Sequence, residues 1–187
     1  MSIKKLVPLP FVEFLLKKYS KPDCFVLDVG CGPAIYRNTI NGKYIGLDIN
    51  KDSYFDLTGQ RRMDTVASAA SLPFKDNTFD LLFAKSAFYQ FEDPLLALFE
   101  FKRVLKADGR LLLIDYNMRT QKRIQKKEMA NRPCWTQNEL KKIVEKSGFR
   151  CLELLLALPY DTGSFEKKIR LFLEELIGLW AIVTAVK

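Results

Sequence analysis

The residues best able to do chemistry lie in the stretch Val26-Leu27-Asp28-Val29-Gly30-Cys31-Gly32-Pro33-Ala34. An apolar run ends there at glycine, and Pro33 stands where a helix would begin. Glycine permits a tight turn and lets a ligand approach the backbone with no Cβ in the way. The start of a helix after Pro33 would offer free N–H groups to an anion. Asp48 closes the next apolar run, 18 residues after Gly30. A carboxylate at a strand tip can accept two hydrogen bonds from the vicinal hydroxyls of a ribose. Glycine turn and acidic strand tip together imply an adenosine-containing cofactor. A dinucleotide fingerprint asks for a third glycine, and that position, three after Gly32, holds Ile35.

Other chemistry is excluded by what the chain lacks. It has no histidine among its 187 residues, which removes Ser–His and Cys–His nucleophiles, imidazole metal ligands and a histidine base together. The four cysteines, Cys24, Cys31, Cys134 and Cys151, form no CxxC pair. Neither a metal site nor a disulfide framework follows from them, and they read as reduced thiols in a cytoplasmic protein.

Those residues need elements to position them. Cys24–Val29 and Tyr44–Ile49 are apolar runs suited to strands buried on both faces, with Thr65–Ala67 a short third, Phe79–Ala84 a fourth and Arg110–Asp115 a fifth. Phe11, Leu15 and Tyr19 share a helical face. Pro94–Lys106 carries Leu95, Leu98, Phe99 and Leu105 as a helix opened by proline and stopped near Gly109. Thr136 and Glu139 form a capping box ahead of a helix ending at Gly148. Cys151–Leu158 and Trp180–Val186 are the last strand expectations. Strands alternating with helices predict a doubly wound α/β, Rossmann-like fold with a mostly parallel sheet. Asp52–Asp64 is polar and short for a full helix.

Length fits a single domain spanning 1–187, and 48% hydrophobic with 28% charged residues is a globular composition. The longest apolar run, Leu176–Val186, has 11 residues, against about 20 for a membrane span. No transmembrane segment is expected, and Met1–Pro10 makes a poor signal peptide. The net charge of +8 is concentrated. Arg119–Lys146 holds nine Lys/Arg against three Glu, a local +6. This is either a solvated helix face or a dock for an anionic acceptor or partner.

Four segments also carry a resemblance. Val26–Ala34, with Asp28 two before the first glycine, resembles the first motif of class I S-adenosylmethionine (SAM)-dependent methyltransferases. Ser71-Leu72-Pro73-Phe74-Lys75-Asp76-Asn77-Thr78-Phe79-Asp80 is similar to that family's LPF-x-D-x-x-FD segment. Glu100–Leu111 resembles E-x-x-RVLKPGG-x-L, and Thr136–Leu140 with Gly148-Phe149 resembles the T-x-x-EL and GF pair. The likeness runs from Val26 to Phe149 with the motifs in order, and is nearest the small-molecule branch that includes quinone and other metabolite methyltransferases.

The resemblance implies a seven-stranded sheet ordered 3-2-1-4-5-7-6 with the last strand antiparallel, formed by Trp180–Val186; the other reading of that apolar tail is a membrane-contacting helix. It implies SAM as cofactor, with Gly30, Cys31 and Gly32 at its methionine end, Asp28 orienting the loop or reaching the amino group, and Asp48 on the ribose. Ile49 would pack on adenine. Ser68 and Ala69 would lie at the adenine amino group, where the family has Asp-Ala. Lys85, Ser86 and Ala87 would floor the sulfonium. The family's histidines after the fourth strand are replaced by Phe88-Tyr89-Gln90-Phe91. Tyr89 would donate to substrate or simply pack, and Asp115 and Tyr116 would either face the acceptor or shape a loop. Three functions remain open: methylation of a small molecule, methylation of RNA, or SAM binding without catalysis. A nicotinamide-dependent oxidoreductase fits the turn less well.

Overall fold

The computed structural model describes residues 10–51, 63–116, 135–157 and 180–187; for 116, 155–157, 180 and 181 the backbone alone is described. Its elements are α1 (Pro10–Tyr19), β1 (Phe25–Val29), β2 (Lys43–Asp48), β3 (Thr65–Val66), β4 (Phe79–Lys85), α2 (Pro94–Val104), β5 (Leu105–Tyr116), α3 (Gln137–Lys146), β6 (Arg150–Ala157) and β7 (Trp180–Val186). Short 3-10 turns at Arg37–Thr39 and Phe88–Gln90 complete the described elements.

The strands form one sheet in the order β3-β2-β1-β4-β5-β7-β6. β7 runs antiparallel to both β5 and β6, and the other pairs are parallel. Trp180–Val186 is therefore the expected last strand.

Alternation along each strand explains why the central runs are apolar throughout. Leu27, Leu82, Leu111, Leu113 and Val183 face α2 and α3 in one core. Val26, Leu81, Phe83, Leu112 and Ile114 face α1 in another. Successive side chains of a strand point to opposite faces, so a strand covered on both sides needs hydrophobic residues at every position. Leu15 and Leu16 of α1, and Leu98 and Phe101 of α2, are buried beneath these covers.

Two local expectations are corrected. No α-helix follows Pro33. Each amide reaches back three residues, Ala34 to Cys31, Arg37 to Ala34 and Thr39 to Tyr36, which builds turns and a single 3-10 segment. Ala34 takes a left-handed φ of 50°, a conformation that no α-helix contains. The second correction concerns α2, which stops at Val104 rather than Lys106, and β5 starts at once. Leu105 pairs with Phe79 and Arg110 pairs with Leu81, so residues between them bulge out of the ladder. Lys106 turns aside to hold the Asp80 carboxylate at 2.8 Å instead of closing the helix.

The α3 capping box is present as read: Thr136 accepts from the Glu139 amide, and the Glu139 carboxylate accepts from the Thr136 amide. Most of Asp52–Asp64, six of the nine cations between Arg119 and Lys146, and Cys134 lie outside the described residues.

Candidate functional site

Asp28 sits near the tip of β1, where the strand gives way to a glycine turn. A cavity of about 670 Å³ opens there against the tips of β1, β2 and β4. Strand tips on either side of a change in strand order leave such a crevice in doubly wound sheets, because the helices leave in opposite directions. All eleven residues assigned to a cofactor from the sequence line it: Asp28, Gly30, Cys31, Gly32, Asp48, Ile49, Ser68, Ala69, Lys85, Ser86 and Ala87.

Gly30 has φ +73°, and a methyl group there would run into the Ala87 side chain. Only glycine lets the turn press against the segment after β4. The N–H groups of this turn point into the fold. Those of Gly30 and Cys31 donate to the Leu47 carbonyl at 2.8 and 3.0 Å. That of Gly32 donates to Asp48 Oδ2 at 2.9 Å. The anion cradle expected at a helix start is therefore absent, for want of both the helix and the free donors.

What the cavity presents instead is negative charge. Among the described residues, Asp28, Asp48, Glu92 and Asp93 line it, against Lys85 as the cation. Asp28 is buried and accepts a hydrogen bond from the Tyr44 hydroxyl at 2.6 Å. Burial pushes its carboxyl up to about 7; the Tyr44 hydroxyl opposes the rise, and the Asp48 charge adds to it. Lys85 is shifted the other way. Burial lowers its ammonium pKa, while Asp115 and Asp28 partly restore it. Cys31 stays a protonated thiol, since burial and the charges of Asp28, Asp48 and Asp64 all raise its pKa. No covalent chemistry is available from it at neutral pH.

At the other end of the cavity, Ile49 is 71% exposed beside Asp48, an apolar platform in the cavity wall. Ser68 Oγ accepts the Ala70 amide at 3.2 Å and shapes the loop after β3. Ser86 holds a left-handed φ of 57°, and its buried hydroxyl has no hydrogen-bond partner.

Two of the three residues expected at a substrate, Tyr89 and Asp115, are not in the cavity wall. Asp115 is fully buried, with its carboxylate accepting the Tyr89 amide at 2.7 Å. It anchors the 3-10 turn after β4, and neither it nor Tyr89 lines the cavity. Asp115 follows the parity of Leu111 and Leu113, on the face opposite Ile114. Tyr116 ends β5 opposite Trp180, with its side chain outside the described residues.

Sequence reasoning missed Tyr36, Asn50, Gln90, Phe91, Glu92 and Leu96, all in the cavity wall. The signal for the last group was present in Glu92-Asp93-Pro94, since Asp93 caps α2 by accepting the Leu96 amide at 2.9 Å and so turns this segment toward the turn after β1. Tyr44 was read only as the start of a strand.

Comparison with known proteins agrees with this geometry. Residues 27–113 match a family model described as a methyltransferase domain. An uncharacterised protein of Methanocaldococcus jannaschii is 36% identical over 110 residues, covering 57% of this chain and 47% of that protein. An uncharacterised methyltransferase of Bacillus subtilis is 34% identical over 101 residues, 49% of this chain and 40% of its own. Demethylmenaquinone methyltransferase of Lactiplantibacillus plantarum is 35% identical over 104 residues, with 48% and 44% covered. The chain thus spans less than half the length of these curated relatives. Among solved structures, a putative methyltransferase of Bacillus halodurans superposes with a TM-score of 0.71 at 18% identity, covering 95% of this chain and 98% of that one. A SAM-dependent methyltransferase of Aquifex aeolicus gives 0.66 at 21%, covering 93% and 88%. At such identities these two speak for the fold. Residues 27–113 thus resemble a methyltransferase domain, and the fold is the one seen in SAM-dependent methyltransferase structures.

Proposed function

We propose that this protein binds SAM in the cavity at the tips of β1, β2 and β4 and transfers its methyl group to a small-molecule acceptor. The observation that carries the reading is the sign of the cavity. Among the described residues, four carboxylates face one ammonium, and the turn's N–H groups are spent inside the fold. A pyrophosphate would be repelled there, whereas a ligand with a sulfonium and an ammonium is attracted.

Asp28 takes the ligand's ammonium, with Gly30 and Gly32 letting the chain approach. Asp48 keeps lone pairs for ribose hydroxyls beyond those given to Gly32 and Asn50. Ile49 supplies the face for adenine, and Ser68 and Ala69 its edge. Lys85, Ser86 and Ala87 close the floor. SAM supplies a methyl group already activated by its sulfonium. The protein's own contribution is to align a nucleophile in line with the S–CH₃ bond and keep water out, which is worth up to about 7–11 kcal/mol in well-aligned cases. A histidine base is not needed for that, and a small acceptor that is nucleophilic near neutral pH suits the site. The Lactiplantibacillus plantarum relative, a demethylmenaquinone methyltransferase, supports a small acceptor of that kind.

Calorimetry with SAM, with its demethylated product S-adenosylhomocysteine (SAH) and with NAD tests the reading. Binding of SAM and SAH but not NAD is expected; failure to bind either SAM or SAH overturns it.

A further inference from the structure

We infer that Tyr44 is a positioning residue for the cofactor, its hydroxyl holding the Asp28 carboxylate in the charge state and direction that a ligand ammonium requires. The inference rests on the proposed binding of SAM. Its ground is a contact between neighbouring strands. Asp28 of β1 stands opposite Gly46 of β2, and Tyr44 stands opposite Val26, two residues earlier on the same face. The Tyr44 ring leans along β2 across the space Gly46 leaves empty. A Cβ at 46 would lie 2.9 Å from Tyr44 Cε1 and 3.0 Å from its hydroxyl. At the end of that path the hydroxyl donates to Asp28 Oδ2 at 2.6 Å.

The ring is held from behind as well. The Arg37 guanidinium lies over it, 4.4 Å from the centroid. Arg37 is fixed by the Asp64 carboxylate at 2.6 Å, and Asp64 accepts the Gly46 amide at 2.7 Å. Tyr44 is therefore aimed at Asp28 by a chain of contacts through Arg37, Asp64 and the Gly46 amide.

The consequence concerns pH. Asp28 faces the Tyr44 hydroxyl and the Asp48 carboxylate from β2, the Arg37 guanidinium from the 3-10 turn, and the Lys85 ammonium from β4. Burial favours the neutral carboxylic acid, and among these groups the Tyr44 bond opposes it most. A ligand ammonium needs the carboxylate, so protonation of Asp28 competes with binding as pH falls. Loss of the Tyr44 hydroxyl moves that competition to higher pH.

The test is calorimetric affinity for SAH between pH 6.0 and 8.5, with 5′-methylthioadenosine, which lacks the amino-acid end, as a control ligand. Wild-type affinity for SAH is expected to fall as pH drops through about 7, the carboxyl value at Asp28. In Tyr44→Phe, which keeps the ring under Arg37, SAH should bind at least fivefold more weakly at pH 7.0, with the fall displaced to higher pH. Gly46→Ala, which crowds the ring but keeps the hydroxyl, should move the profile in the same direction. Methylthioadenosine should show neither effect. A Tyr44→Phe profile superimposed on wild type, or a wild-type profile flat across the range, overturns the inference. So does an equal loss of methylthioadenosine binding, which would mean a general structural role. Absence of SAH binding at every pH defeats the proposed function itself.

Discussion

The Asp48 carboxylate accepts the backbone N–H of Gly32 at 2.9 Å, tying the tip of β2 to the glycine turn of β1. One side chain thus shapes the turn and faces the ligand cavity. Asp48→Ala should weaken SAH binding at least tenfold by calorimetry, since both the proposed charge-assisted bond to ribose and the turn's tether are lost. Asp48→Asn can keep the tether through its amide oxygen. It should lie between wild type and alanine.

The Arg103 guanidinium binds two loop carbonyls and two carboxylates. It donates to Glu100, to Asp76 and to the carbonyls of Leu72 and Phe74, while Glu100 also accepts the Leu72 amide. These bonds fasten the Leu72–Asp76 loop to α2. Arg103→Ala should cost about 1.5–3 kcal/mol in urea unfolding, the range for hydrogen bonds to charged groups. Arg103→Lys should recover little, because an ammonium cannot reproduce the planar fork.

Gly30→Ala should fail for two separable reasons. Its φ of +73° costs an L-residue about 1–2 kcal/mol, and the added methyl meets Ala87. Pairing it with Ala87→Gly should relieve the clash and leave the backbone term, so the double variant unfolds at higher urea than Gly30→Ala alone. Equal midpoints for the two would refute the close approach.

Stability should depend on pH through Asp28. Its folded carboxyl is raised to about 7, above its unfolded value near 3.9. The proton is thus bound more tightly in the folded state. The associated stability is fully present below about pH 4 and is lost as pH rises through about 7. Asp28→Asn, a neutral mimic of the protonated form, should therefore be more stable than wild type at pH 8, by up to about 4 kcal/mol. That advantage should vanish near pH 4. Thermal melts across this range read it directly, and the same variant should bind SAH poorly.

Charge on the stretch beginning at Arg119 is a prediction from the sequence. Neutralising Lys122, Arg123, Lys126 and Lys127 together should leave SAM affinity unchanged and impair turnover of an anionic acceptor. Wild-type turnover would identify the stretch as solvated surface.

Sequence alone determined the order of the strands and main helices along the chain and eleven of the residues that line the cavity. Runs such as Leu111–Ile114 are apolar at every position, a pattern that local spacing records directly. The Gly30 turn, the Asp48 strand tip and the Thr136 capping box are equally local. Misreadings arose where spacing underdetermines geometry. Pro33 looks like a helix start, yet Ala34 turns left-handed, and Leu105 looks helical, yet it pairs with Phe79. Only the tertiary structure decided that the turn's N–H groups are spent on Leu47 and Asp48, that Asp115 is buried holding the Tyr89 amide, and that Tyr44 reaches Asp28. Each depends on the register between strands or on which face a residue takes, quantities set by packing between residues far apart in the chain.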